Sequence, residues 1–302
     1  MEIQSLSLCV PAKCPNKCPF CVSRQHHEEY KEVASDDAYW AAVRSRLQFA
    51  RDNHCNTIVL TGSGEPMANL PYLIRFGSIN STLSSPFQWI EIQTSGVYLG
   101  PNILSLRTWD IGVATISLSL ANMFDSDANA ELMGILKKLR FNTVKLCESI
   151  KELGFNLRLS LNMSDIYNEV APEKFFETAK ELDADQITFR ELYAAESDSK
   201  QAEWVKEHSY ARNACKYMTV KEHVERYGRR LERLSFGSDR YSLDGLSVVI
   251  DDNCMDRERA KLFWPVHPFH DFPFPTKTLR YLILREDGKL YTKWDDKGSL
   301  LF

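Results

Sequence analysis

The feature that most limits the fold of this chain is the alternation of short apolar runs with helical segments through its first 190 or so residues. Residues 3–10, 57–61, 89–94, 114–120, 155–162 and 186–192 read as strands, each bounded by Gly, Ser, Pro or polar turns. Between them the spacing turns helical. Ser35, Asp36 and Asp37 can cap a helix carrying Trp40, Val43, Leu47 and Ala50, ending near Asn53. Further helices are predicted over 70–76, 102–107, 131–154 with a break at Phe141-Asn142, and 172–182, where Pro172 suits the first turn. Strand–helix units at spacings of roughly 25 to 40 residues imply right-handed crossovers and a parallel sheet. Periodicity alone leaves both a doubly wound sheet and a barrel open.

After residue 195 the texture changes. Residues 196–206 are polar, 210–233 read as a charged helix, and 246–251, 279–285 and 289–293 as short strands. The expected division is therefore 1–195 and 196–302. A chain of 302 residues, 44% hydrophobic, can bury a large core and carry an appended module. Its net charge of -4 argues against a generic nucleic-acid binder, which needs a basic excess to neutralise phosphates. Neither a secretory signal nor a bilayer-length apolar run is visible, so a cytoplasmic protein without membrane contact is expected. Eight cysteines are too few for a disulfide scaffold, and Cys9, Cys55, Cys147, Cys215 and Cys254 are widely scattered.

The other three cysteines crowd into Cys14-Pro-Asn-Lys-Cys18-Pro-Phe-Cys21, just after the first strand. Iron–sulfur clusters are held by thiolates, normally four, so three leave one iron open to another ligand. A zinc site would instead enlist a fourth ligand such as His26 or His27. The C-x3-C-x2-C spacing, with Phe20 before the last cysteine, resembles the signature of the radical S-adenosylmethionine (SAM) superfamily. That resemblance implies an α/β fold, a partial (β/α)6 TIM-like barrel with a small C-terminal α+β extension. It also implies a [4Fe-4S] cluster on Cys14, Cys18 and Cys21, whose free iron chelates SAM.

A second stretch, Thr61-Gly-Ser-Gly-Glu-Pro-Met67, is similar to the family's Gly-Gly-Glu-Pro motif, with Ser63 replacing the first glycine. By that resemblance Gly64 and Glu65 meet the SAM amino group. Thr94-Ser-Gly96 resembles the family's Thr-Asn-Gly, and Ser117-Leu-Ser-Leu120 its Ser-Leu-Asp, with Ala121 in place of the acid. Phe20, Thr94, Ser119, Asn162 and Arg190 complete the implied cofactor-binding set. Arg190 can grip a carboxylate bidentately, or pair with Glu191 or Glu65. Asp287-Gly-Lys-Leu-Tyr-Thr-Lys-Trp294 resembles the opening of an auxiliary-cluster (SPASM/twitch-like) module, with Lys293 where a cysteine would stand. Asp-Gly is also an ordinary hairpin turn. Only Cys215 and Cys254 follow the barrel, so one cluster is expected. The aromatic, proline-rich segment 263–275 reads either as a lid over the barrel mouth or as a packed connector. Cys254 reads either as a hydrogen donor to a carbon radical or as a buried structural thiol.

The resemblance thus implies reductive cleavage of SAM to a 5'-deoxyadenosyl radical that takes hydrogen from a small polar metabolite, nucleotide or sugar-like substrate. The reductant would be a flavodoxin or ferredoxin. Modification of a peptide or RNA is the alternative, and a non-catalytic zinc- or cluster-binding sensor or scaffold is the alternative of another class.

Overall fold

The computed structural model describes residues 2–26, 36–211, 215–234, 238–251, 278–294 and 297–302. Strands β1 (Glu2–Cys9), β2 (Thr57–Thr61), β3 (Trp89–Thr94), β4 (Val113–Leu120), β5 (Asn156–Met163) and β6 (Gln186–Glu191) lie side by side in chain order, all parallel. Their C-terminal ends therefore share one rim. This is the partial (β/α)6 TIM-like barrel. The C-terminal part extends the same sheet on both sides. β7 (Arg229–Arg233), β8 (Asp239–Leu243) and β9 (Leu246–Asp251) form an antiparallel meander in which β9 pairs parallel with β6. At the other edge β10 (Thr278–Leu284) pairs parallel with β1, and β11 (Leu290–Tyr291) folds back on it.

The helices follow from capping and from apolar residues at helical spacing. They are α1 (Val22–Gln25), α2 (Asp37–Asp52), α3 (Leu70–Ser81), α4 (Leu99–Thr108), α5 (Ser126–Leu132), α6 (Thr143–Glu152), α7 (Pro172–Glu181), α8 (Lys200–His208) and α9 (Val220–Tyr227). Asp36 caps α2 by accepting from the Tyr39 amide, and Asn69 caps α3 by accepting from Tyr72. Trp40, Val43, Leu47 and Ala50 lie on the buried face of α2, as their spacing predicts. They join one apolar layer with strand residues such as Leu6, Leu8, Ile58, Leu60, Ile92 and Leu159. Each fully buried side chain of this kind contributes about 1.5–3 kcal/mol.

The 131–154 stretch is two helices: Asn142 opens α6 by capping the Lys145 amide, at the expected break, while α5 ends earlier than expected, at Leu132. One helical expectation is corrected. The charged helix over 210–233 shrinks to α9, closed by Gly228, after which the chain becomes β7. Arg230 and Arg233 both bond Asp239 of the neighbouring strand, which favours the hairpin over continued helix. The polar 196–206 stretch contains the start of α8, capped by Ser199.

Since strand side chains alternate, the sheet face turned away from the apolar layer carries the other half of each strand. That face is polar. Thr61 donates to Gln93 Oε1 at 3.3 Å, Gln93 donates to Glu91 Oε1 at 3.3 Å, Glu91 pairs with Arg158, and Arg158 Nε donates to Gln186 at 2.8 Å. Among the described residues no helix is long and apolar enough to cross a membrane.

Glu91 is 7% exposed, so Arg158 is its counter-charge more than an ornament. Arg158→Met is expected to destabilise the metal-free protein by about 3 kcal/mol, by leaving a buried carboxylate unpaired. Adding Glu91→Gln should recover part of that loss. Urea unfolding of the three proteins checks this; equal stability of Arg158→Met and wild type would refute it.

Candidate functional site

The cysteine loop leaves β1 at the rim and is tied down on three sides. Val10 donates its amide to Thr61 O at 2.7 Å, and Asn69 Nδ2 donates to Pro11 O at 2.7 Å, both toward β2 and its following turn. Lys17 N and the Cys18 thiol donate to Met133 O at 3.1 and 3.4 Å, toward the segment after α5. On the third side Gln25, fully buried, donates to Tyr193 O at 2.8 Å and accepts from Ala195 N at 2.7 Å, beyond β6. Phe20 is buried with Val97, Ala121 and Met133, and its ring lies 6.0 Å from that of Trp204 on α8. Trp204 in turn stacks on His208, whose Nδ1 meets Asp165 at 2.9 Å.

Cys14, Cys18 and Cys21 carry no disulfide. Burial pushes the Cys18 thiol up to about 12, with the neighbouring Cys21 and Cys14 adding to the rise and Arg24 opposing it. Cys14 is also raised, again by burial first, with Glu65 and Cys21 adding to it. The three sulfurs and Glu65 therefore share one electrostatic neighbourhood.

Would these residues fit an iron–sulfur cluster? Asn16, inside the same loop, is 1% exposed, and both its amide atoms lack a hydrogen-bond partner among the described residues. A buried amide without a partner calls for an acceptor, and cluster or thiolate sulfur is one. Among the described residues no three His, Cys, Asp or Glu side chains converge on a point as ligands of a single ion would. A four-iron cluster takes its thiolates on separate irons and needs no such convergence. The donor set fits the cluster.

The second loop lies directly against the first. A Cβ built on Gly64 would fall 1.8 Å from the Ala12 carbonyl oxygen, so only glycine lets the two backbones touch. Glu65, 2% exposed, turns inward. Its Oε1 accepts from Met67 N at 3.1 Å and Thr94 Oγ1 at 2.6 Å, and its Oε2 from Ser95 N and Oγ at 2.8 and 2.5 Å. Thr94 thus serves this loop by fixing Glu65, and Ser95 is a residue that the motif comparison passed over.

Ser119, Asn162 and Arg190 occupy the inner sheet face near the rim, in adjacent register with Ser160, Arg190 and Asp251 respectively. Asn162 Nδ2 donates to Leu120 O at 3.3 Å. The carboxylate that meets Arg190 is Asp251, whose Oδ2 lies 3.6 Å from the Arg190 Nε and whose Oδ1 accepts from Ser238 at 2.8 Å. Asp251 was visible as the end of a predicted strand; what the sequence hides is that this strand neighbours β6. Cys254, His27 and the aromatic segment 263–275 lie outside the described residues.

No family model matches the sequence, and no curated protein matches it. Solved structures do. Coproporphyrinogen III oxidase (HemN) from Escherichia coli, a radical SAM enzyme, aligns over 86% of this chain and 59% of its own, with 14% identity and a TM-score of 0.50. anSMEcpe with bound AdoMet aligns over 63% of this chain and 49% of its own, with 16% identity and a TM-score of 0.48. HydG, a maturase of the [FeFe]-hydrogenase, aligns over 62% and 42%, with 14% identity and a TM-score of 0.45. The chain spans about half the length of most of the structures it resembles. At such identities the likeness is one of fold, the partial barrel on which radical SAM enzymes are built.

Thr94→Val removes one of the four donors to a buried carboxylate and is expected to cost about 2 kcal/mol. Amide exchange in residues 61–67 should rise with it. Thr94→Ser, which keeps the hydroxyl, should restore both stability and protection; exchange that does not respond to either change would show that Glu65 does not hold this loop.

Proposed function

We propose that this chain is a radical SAM enzyme with a single [4Fe-4S] cluster. The observation that carries this reading is the backbone contact between the cysteine loop and the Gly64-Glu65 turn at the C-terminal rim of a partial barrel. Cys14, Cys18 and Cys21 would hold the cluster. Reduced, such a cluster supplies the electron that cleaves SAM to methionine and a 5'-deoxyadenosyl radical, the agent that takes hydrogen from substrate. By the motif resemblance the SAM amino group would be met at Gly64, whose backbone packs against Ala12 of the cysteine loop.

This chain's own residues bind, orient and exclude water. Phe20, Val97, Ala121 and Met133 form an apolar packing between the cysteine loop and α8, which limits water on that side. Ser119, Asn162 and Arg190 would complete the cofactor and substrate contacts on the inner face. Arginines on that face are matched by carboxylates, Arg158 by Glu91 and Arg190 by Asp251. The remaining inner groups are mainly hydroxyls and amides, a lining that favours a small polar metabolite, nucleotide or sugar-like substrate over a macromolecule. Residues 1–195 supply the barrel and cluster; 196–302 cover the substrate. A flavodoxin- or ferredoxin-like donor in the cytoplasm would deliver the electron.

Anaerobically reconstituted protein is expected to hold about four irons per chain, and to release 5'-deoxyadenosine when given SAM and dithionite. Cys18→Ala should abolish both. Stoichiometric zinc without SAM cleavage would overturn the proposal, and iron–sulfur absorbance surviving in a Cys14→Ala, Cys18→Ala, Cys21→Ala triple variant would overturn the single-cluster part.

A further inference from the structure

We propose that Glu286 is a positioning residue of the SAM site, acting through Ser63; the inference rests on the radical SAM reading and adds a residue from the far end of the chain. Glu286 lies in the turn between β10 and β11. Because β10 pairs with β1 on the side opposite β2, that turn arrives at the same rim as the cysteine loop. There, Glu286 Oε1 accepts from the Ser63 hydroxyl at 3.0 Å and from the Ser63 amide at 3.4 Å. Two donors from one residue, on one carboxylate oxygen, fix both the side chain and the backbone of the motif loop.

The turn that presents Glu286 is itself well held. Gly288 has φ +75 and donates its amide to Arg285 O at 2.9 Å. Asp287 accepts from Lys289 N at 3.0 Å and from the Tyr291 hydroxyl at 2.8 Å. The Gly288 backbone sits on the Tyr39 ring, so closely that a Cβ there would lie 3.1 Å from Cε2, and the Tyr39 hydroxyl shares a 2.8 Å hydrogen bond with that of Tyr72. The hairpin thus rests on α2 and α3 while its carboxylate reaches Ser63. The Asp287-Gly288 resemblance to an auxiliary-cluster module finds a different use here, as the seat of a clamp.

This arrangement gives a physical reason for the departure from the motif. A glycine at 63 would offer the amide but no hydroxyl, and the shorter of the two bonds would be lost. Ser63 and Glu286 are complementary, and the loop is gripped from two directions: Glu65 pulls it toward β3 through Thr94 and Ser95, and Glu286 holds it from the β10 side. Position matters more than charge in this role, since a Gln oxygen can accept the same two bonds.

The test reads SAM affinity and loop protection separately from turnover. In reconstituted protein, Glu286→Ala should weaken SAM binding about tenfold by equilibrium dialysis, Ser63→Ala less, and the double variant no more than Glu286→Ala alone. Glu286→Gln should stay within about twofold of wild type. In metal-free protein, hydrogen exchange of residues 61–67 should rise in Glu286→Ala and return in Glu286→Gln. Unchanged SAM affinity and unchanged exchange in Glu286→Ala would overturn the inference, as would a Glu286→Gln variant no better than Ala. Wild-type protein that holds a cluster but binds no SAM would instead refute the radical SAM reading, while the exchange measurement would still decide whether Glu286 holds the loop. If Glu286→Ala fails to fold, Ser63→Ala and Glu286→Gln carry the same comparison.

Discussion

The close approach of Gly64 to Ala12 is the contact on which the rest of the site depends. Two loops that follow successive parallel strands come to the rim at neighbouring positions, but neighbouring loops usually keep their side chains between them. Here a missing Cβ removes that spacing. The Val10 amide on Thr61 O and the Asn69 amide on Pro11 O then bind the loops into one unit. The cysteines on one side and the Glu-Pro turn on the other are therefore placed by backbone geometry, which varies less with thermal motion than side-chain contact does.

Around that unit the chain spends its buried polar groups on positioning. Glu65, Gln25 and Asn69 each tie backbone from distant parts of the sequence. A buried carboxylate that accepts from four donors is costly to disturb, because loss of any donor leaves a desolvated acceptor unsatisfied. Gln25 does the equivalent work with a neutral amide, linking α1 to the chain beyond β6. Asn16 is an exception: its amide is buried without a partner among the described residues, inside the loop whose thiols are proposed to hold the cluster. A polar group left this way is stable only if something else fills its hydrogen-bonding capacity.

Much of this was legible in the sequence, and the part that was not has a common cause. Six strands, the α2 face of Trp40, Val43, Leu47 and Ala50, and the cysteine loop at a strand end follow from local periodicity and spacing, which the sequence carries directly. Thr94 was placed by its motif, yet its bond to Glu65 depends on β2 and β3 being neighbours. The break at Phe141-Asn142 was legible because Asn142 is a capping residue, but the early end of α5 at Leu132 was not, since the apolar pattern runs on past it. Asp251 was read as the end of a late strand and Glu286 fell between two others, since nothing local says that β9 joins β6 or that β10 joins β1. Residues whose role is set by non-local pairing are the ones that sequence texture cannot assign.

That non-local pairing changes how the C-terminal part should be understood. The sequence changes texture near residue 195, but the sheet runs across that point at both edges. β9 and β10 bracket the six-strand arc, and each brings one carboxylate to the rim: Asp251 beside Arg190 at one end, Glu286 beside Ser63 at the other. Neither is supplied by the β–α repeat. A six-strand arc alone would leave Arg190 without the carboxylate it meets here and the Ser63 hydroxyl without its acceptor. The late strands therefore finish the electrostatics of the rim as well as the hydrogen bonding of the sheet edges.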